Sequence, residues 1–405
     1  MHVLIIPGEQ LNRKDLFSSS FELSQSRVLA LFGYNVALLS VRCDSGFFPA
    51  IKFHIKRFIS LFTSLSKRFD FKTINEDCLN EIRTIEVRGA KMISHSMIDG
   101  YSYIVELACR GFEYYITKYG RPDIIHGHSR FLTGGLIAHG ISKRYGIPYV
   151  VTEHSSAYVL KPLSDVELEL AASIINHSDA CIAVSKSLGD SICRVLNHRL
   201  IKKFEVLPNV IDEAFEMNRP NFNSSNDSFV FLSVANFTEN KAQKNLLKAF
   251  SIACKGNPNF KLRIAGKGEQ ENELRSLTDQ LGISSQVEFL GFINKDKVIQ
   301  ELDQSDVYVL TSKYETFGVI LIEALSRGIP VIATKSGGPE EIVNSSNGVL
   351  IDYNNIDQLV VQLKNIVHLL PKFDKELIRK DCISRFGSQA YFNALTPIYK
   401  RVVAS

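Results

Sequence analysis

An α/β protein built from two doubly wound domains is what this sequence predicts, on three observations. Its 405 residues exceed one ordinary domain and fit two of roughly 150–200. Short apolar runs rich in β-branched residues alternate with longer amphipathic stretches, the pattern of parallel strands covered on both faces by helices. The alternation stops once, at the Asn- and Ser-rich stretch 216–227, read as an exposed linker, and then resumes.

In chain order, "HVLIIP" (2–7), "NVALLSV" (35–41), "DIIHGH" (123–128), "PYVVTEH" (148–154) and "ACIAVS" (180–185) read as buried strands. A helix is predicted at 20–33, with serine before the apolar period and glycine after it. The second series is "FVFLSVA" (229–235), "FKLRIAG" (260–266), "QVEFLG" (286–291), "VYVLTS" (307–312) and "IPVIAT" (329–334). The domains are placed at 1–208 and 209–384. The helical tail 385–405, with no strand left to follow it, is expected to cross back onto the first domain.

Composition narrows the function classes. The 45% apolar and 22% charged content is that of a globular protein. The formal charge of +4 is mild and resides in the first half, where 23 Lys+Arg face 19 Asp+Glu. Seven scattered cysteines without a C-x-x-C pair argue against a disulfide framework or a zinc site and point to reduced thiols in the cytoplasm. No apolar run reaches the ~18–20 residues of a membrane span, and "MHVLIIPGEQ" reads as a first strand rather than a signal peptide. An NAD-type domain would want G-x-G-x-x-G after strand one, which "IPGEQLN" lacks.

In open α/β sheets ligands bind beyond the carboxyl ends of the strands, so a cleft between two such domains is the expected site. There "YETFGVILIEALSRGIPVIAT" (314–334) stands out. Strand "VYVLTS" ends, "KYET" turns, and a helix is predicted from Phe317 or Gly318. Free amides at Gly318 and Val319 would offer an anion site. Glu315 precedes the helix and Glu323 lies eight residues on, roughly 80° around it at ~100° per residue. Two carboxylates that each accept from vicinal hydroxyls, beside an anion site, suit a phosphate flanked by sugars. A glutamate before a helix can equally complement the macrodipole. Glu323, inside an apolar helix, needs a partner if buried.

The window "YETFGVILIEALSRGIPVIATKSGGPEEIV" resembles the signature of the family-4 retaining glycosyltransferases of GT-B fold, two Rossmann-like domains facing a cleft. The resemblance implies that Glu315 contacts the donor sugar and that Glu323 holds the ribose hydroxyls of the nucleotide. It makes Lys241, in "LSVANFTENKAQKNLLKAF" (232–250), the residue that neutralises the donor diphosphate. It aligns Asn236 with a position that often carries arginine, which puts the usual Arg/Lys clamp in question. Lys244 and Arg263 are candidate replacements outside the motif. Phe317, Gly318, Val319, Gly266 and Gly268 (in "RIAGKGEQ") fall at the nucleotide. Asn209, in "VLPNVID", is either a donor contact or a simple turn former.

His154, in "VTEHSS", corresponds to a histidine that approaches the donor sugar. His126 and His128 sit at another strand end and are read as cleft or packing residues. Their spacing invites a metal, but the fold needs none and no third ligand is evident. Where the family often has Gly–Gly after strand one, this chain has Gly8 and an insertion ending in "SSS" (18–20).

The function implied is retaining transfer of a hexosyl unit from a UDP- or GDP-linked sugar, without metal or other cofactor. The acceptor would be a saccharide or lipid-linked molecule of bacterial surface polysaccharide or glycolipid synthesis. A catalytically silent GT-B protein that binds a sugar nucleotide or a partner is the alternative. Residues 51–72 interleave six Lys/Arg with apolar side chains. They fit either an anionic membrane interface, for a peripheral protein on the inner face of the plasma membrane, or a packed helix with a basic rim. No nucleic-acid motif accompanies that charge.

Overall fold

The computed structural model describes residues 1–8, 20–44, 74–90, 97–220 and 228–405. The chain divides into two compact units. The first comprises Met1–Ala183, Ser191–Leu207 and Phe392–Ser405, and the second Val184–Asp190 and Pro208–Tyr391. The basic run 51–72, the insertion after Gly8 and most of the stretch 216–227 lie outside the described residues.

The first unit holds strands β1 (His2–Ile6), β2 (Asn35–Asp44), β3 (Ile74–Leu79), β4 (Ile82–Ala90), β5 (Ile124–Ser129), β6 (Tyr149–Glu153), β7 (Ala180–Ala183) and β8 (Glu205–Val206). They form one sheet in the order β3-β4-β2-β1-β5-β6-β7-β8, parallel except for the β3–β4 hairpin. β1, β5, β6 and β7 are buried along nearly their whole length, which is why they read as unbroken apolar runs. Leu4, Ile6, Leu39, Ile125 and Phe112 share one core on a face of this sheet. Phe392, in the last helix Ser388–Ala404, stacks on Phe32 at 4.2 Å.

The second unit holds β9 (Phe229–Val234), β10 (Phe260–Ala265), β11 (Val287–Gly291), β12 (Val307–Leu310), β13 (Val331–Thr334) and β14 (Gly348–Ile351). This sheet is wholly parallel, in the order β11-β10-β9-β12-β13-β14. Phe231, Leu247, Phe250, Leu262, Val309 and Leu363 form its core. The chain order reverses between β9 and β12, and the turns that follow these two strands carry the candidate site.

The stretch read as an exposed linker starts inside a helix, Glu213–Met217. Glu216 there accepts from the Ser388 amide at 3.0 Å. Arg379, buried, donates to the Phe215, Glu216 and Ser326 carbonyls, the last turns of Glu213–Met217 and of the helix Val319–Ser326. A cation on carbonyls that lack intrahelical partners stabilises both helix ends and fixes the element that carries Glu323.

Candidate active site

In the second unit four turns meet at the carboxyl edge of the sheet. After β9 the chain makes a 3-10 turn, Glu239–Lys241, and enters the helix Gln243–Cys254 through Ala242, at φ +50°. After β12 it runs from Thr311 to Gly318 and enters the helix Val319–Ser326. Gly318, at φ +102°, is the N-cap and supplies no side-chain bond to the first amides. A residue with a Cβ would be strained there, and a polar cap would occupy the amides that Gly318 leaves bare.

Glu315 is held by its backbone on both sides. Its amide donates to Ser336 O at 2.8 Å and its carbonyl accepts from Gly338 N at 3.0 Å, beyond the end of β13. Its carboxylate Oε1 takes Lys241 Nζ at 2.6 Å and the Ser312 hydroxyl at 2.6 Å. The lysine side chain is 25% exposed and the glutamate 12%, so the pair stands at a rim that solvent still reaches.

Glu323 lies in the second turn of its helix. Burial pushes its carboxyl up to about 8, the charge of Asp212 adds to that rise, and Lys295 opposes it. Lys295 is itself engaged with Asp212 at 2.6 Å. Asp212 also caps the helix Glu213–Met217 through the Ala214 amide. Glu315 and Glu323 both act on the buried Tyr308 hydroxyl, whose ionisation is raised first by burial. Both carboxylates thus lie close enough to Tyr308 to act on it.

The other sequence-derived positions divide. Gly266 has φ +148°, and a Cβ there would lie 1.9 Å from Ala235 O; at Gly268 it would lie 2.3 Å from Phe237 O. Both glycines let the turns after β9 and β10 touch. Asn209 is buried, and its Oδ1 makes no hydrogen bond among the described residues, an orphan acceptor rather than a closed turn. Phe317 packs its ring edge-on against Phe386 at 5.8 Å, so toward a ligand it offers backbone alone. Asn236 is exposed, and its carbonyl accepts from Gln243 Nε2 at 3.0 Å. Neither suggested replacement for the missing arginine is free. Lys244 pairs with Glu273 at 2.8 Å and Arg263 with Glu301 at 3.0 Å.

In the first unit His154 follows β6, with its amide on Ser129 O at 2.9 Å and its ring against Phe21 at 4.3 Å. Its Nε2 lies 3.0 Å from His128 Nδ1, and its Nδ1 is buried without a partner among the described residues. Burial holds both imidazoles well below their ordinary range, hence neutral. His126 bridges Tyr399 OH at 2.6 Å and Thr152 Oγ1 at 2.7 Å, the position of a packing residue. Among the described residues no three His, Cys, Asp or Glu are placed to hold a metal ion, and no helix is long and apolar enough to cross a membrane.

Sequence reasoning passed over Asp212, Lys295, Ser312 and Asn240. Asp212, Ser312 and Asn240 lie inside segments quoted above but were given no role there, Lys295 lies in none, and each reaches the site only through the fold. It also passed over Lys267, which lies 4.3 Å from the centre of the exposed Phe292 ring just past β10 and β11.

Two Rossmann-like units of this strand order define the GT-B fold class, and solved structures agree along the whole chain. Sucrose-phosphate synthase from Thermosynechococcus elongatus superposes with a TM-score of 0.73 at 17% identity, covering 100% of this chain and 99% of that one. HepE from Anabaena, in complex with UDP-glucose, gives 0.69 at 17% identity with both chains fully covered. Residues 86–215 match the model of Glycosyltransferase Family 4 and residues 214–380 that of Glycosyl transferases group 1, and the chain belongs to these glycosyltransferases. An uncharacterised glycosyltransferase of Methanocaldococcus jannaschii is 32% identical over 188 residues, 44% of this chain and 48% of that protein. The chain spans about half the length of the curated relatives it matches.

Proposed function

We propose that this protein is a retaining glycosyltransferase that moves a hexosyl unit from a UDP- or GDP-linked sugar to a saccharide or lipid-linked acceptor. The observation that carries this reading is Lys241 and Glu315 meeting 2.6 Å apart at the rim of a sheet edge where a glycine-capped helix begins. Lys241 neutralises the diphosphate together with the amides of Gly318 and Val319. Glu315 takes the hydroxyls of the sugar, and Glu323 those of the ribose. Gly266, Gly268, Asn209 and Asn236 border the nucleotide. His154 is assigned to the donor sugar.

In the reaction the bond from C1 of the sugar to the leaving phosphate oxygen breaks, and a bond from C1 to the acceptor oxygen forms. Charge grows on the diphosphate as the sugar becomes oxocarbenium-like, and donors already aimed at that charge lower the barrier. The leaving oxygen takes the acceptor's proton on the same face, which retains the anomeric configuration. Positive charge comes from the chain itself, so no metal or other cofactor is required. The run 51–72 supplies, by composition, a surface for anionic lipid at the inner face of the plasma membrane. That HepE is solved with UDP-glucose supports a nucleotide-sugar donor.

The test is release of nucleotide from a panel of UDP-, GDP- and ADP-sugars in the presence of bacterial membrane extract. Release with one donor, abolished by Lys241→Ala, is expected. Binding of a sugar nucleotide with no transfer across the panel would instead make the protein a catalytically silent binder.

A further inference from the structure

The turn that carries Lys241 and the loop that carries Glu315 follow different strands, β9 and β12. One side chain fastens them together. Asn240 Nδ2 donates to Tyr314 O at 2.9 Å, and its Oδ1 accepts from Tyr314 N at 3.2 Å. Its backbone carbonyl accepts from Lys313 N at 2.7 Å. The amide thus meets both backbone groups of Tyr314, as a neighbouring strand would. Lys241 is the next residue on one side of this clasp, and Glu315 the next on the other.

The surroundings leave the lysine turn little freedom. Thr311 Oγ1 donates to Lys241 O at 2.9 Å and to Ala242 O at 3.2 Å. Ala242 is held at φ +50°, a conformation that costs a residue with a Cβ and persists only where neighbours impose it. The amide answers both groups of Tyr314 from two separate atoms, whereas a carboxylate accepts without donating and an aliphatic side chain does neither.

We propose that Asn240 is a positioning residue of the donor site: it sets where the Lys241 ammonium stands relative to the Glu315 carboxylate, and so where a nucleoside diphosphate and its sugar are met. This rests on the donor-site reading above. Asn240 touches no substrate in this account and acts through its two neighbours.

The experiment compares Asn240→Ala and Asn240→Asp with the wild type, alone and on a Lys241→Ala background. Misplacing a charged group by about 1 Å can cost ~10²-fold in rate. Asn240→Ala is therefore expected to lower kcat by ~10–100-fold with the acceptor KM unchanged, and Asn240→Asp, which keeps one of two side-chain bonds, to fall between. On the Lys241→Ala background the further loss from Asn240→Ala should shrink to within about twofold, since residues that act as a unit are not additive. A purely structural role would give equal losses on both backgrounds, and that result overturns the proposal.

A second arm does not depend on nucleotide. In protein whose lysines carry ¹³C-methyl labels, the Lys241 resonance reports its pairing with Glu315. Asn240→Ala should shift it at unchanged melting temperature. If that resonance stays in place, the clasp does not set the pair. If it moves while the wild type binds no nucleoside diphosphate, the positioning role stands and the donor reading falls.

Discussion

Lys241 and Glu315, separated by 74 residues in the chain, share one 2.6 Å contact, and the carboxylate oxygen in that contact also accepts from Ser312. The charge that a donor diphosphate needs is therefore already neutralised. On the proposed reading a donor displaces the carboxylate from the ammonium, and that displacement frees Glu315 for the sugar.

Removing the negative member should separate binding from turnover. With Glu315→Gln, Lys241 no longer has to give up a charged partner. The nucleoside diphosphate alone should bind at least as tightly as to the wild type, while transfer falls by ~10²-fold or more, as when a charge-stabilising group is lost. Lys241→Ala should weaken both. Calorimetry of the diphosphate, beside initial rates of nucleotide release, gives both readings. Weaker diphosphate binding in Glu315→Gln would show that the glutamate assists the lysine rather than competing for it.

Glu323 leads to a pH prediction of definite sign. Its folded-state value of about 8 lies above its ordinary 4.5, so across that window the folded protein holds a proton that the unfolded chain has released. The contribution of Glu323 to stability must therefore fall as pH rises from about 4.5 to about 8 and level off beyond. Glu323→Gln cannot lose that proton, and its stability relative to wild type should climb across the same window. Urea midpoints at about pH 5, 6.5, 8 and 9 test this, and parallel curves for the two proteins would contradict it. Glu153, buried on Ser129 and Tyr158 and also raised to about 8, contributes equally to both and cancels in the comparison.

How much of this was legible follows from what each element has to bury. β1, β5, β6 and β9 lie almost wholly within the core, and a run such as "HVLII" can be little else. The hairpin β3–β4 hid because it lies at the sheet margin, where Asn75, Glu76 and Asp77 interrupt any apolar period. β14 hid because four residues, two of them only partly covered, carry no period. The pair Glu315 and Glu323 was visible because eight residues of one chain segment fix their relation. Asp212 and Lys295, whose charges act on Glu323 beside the larger effect of burial, are 83 residues apart. Asn240 looks like any loop asparagine until Tyr314 is placed beside it.

Gly266 tests the close approach of the turns after β9 and β10. A Cβ there meets Ala235 O at 1.9 Å and requires an alanine to hold φ +148°. Backbone strain of this kind costs ~1–3 kcal/mol before the clash is counted. Gly266→Ala should lower the melting temperature measurably, whereas Gly33→Ala should cost strain alone. Gly33 is also at positive φ, but its added Cβ meets nothing within 4 Å. Equal losses at the two positions would mean that the turns do not press on each other.

The buried imidazoles of the first unit predict acid sensitivity of the opposite sign to Glu323. Burial lowers His126 from 6.5 to about 3, and its two nitrogens are engaged by Tyr399 and Thr152. The unfolded chain takes up a proton below about 6.5 that the folded protein refuses until about 3. Stability contributed by keeping this ring neutral is therefore present above pH 6.5 and lost progressively as pH falls toward 3. Tyr399→Phe leaves Nδ1 buried and unpaired, which should cost ~1–3 kcal/mol at neutral pH. His126→Gln keeps polar contacts but removes the titration. Its stability relative to wild type should rise between about pH 6.5 and 4, while Tyr399→Phe should retain the wild-type slope from a lower starting point. Chemical denaturation of the three proteins across that range decides the matter. A His126→Gln curve parallel to the wild type would mean that the ring already carries its proton in the folded state.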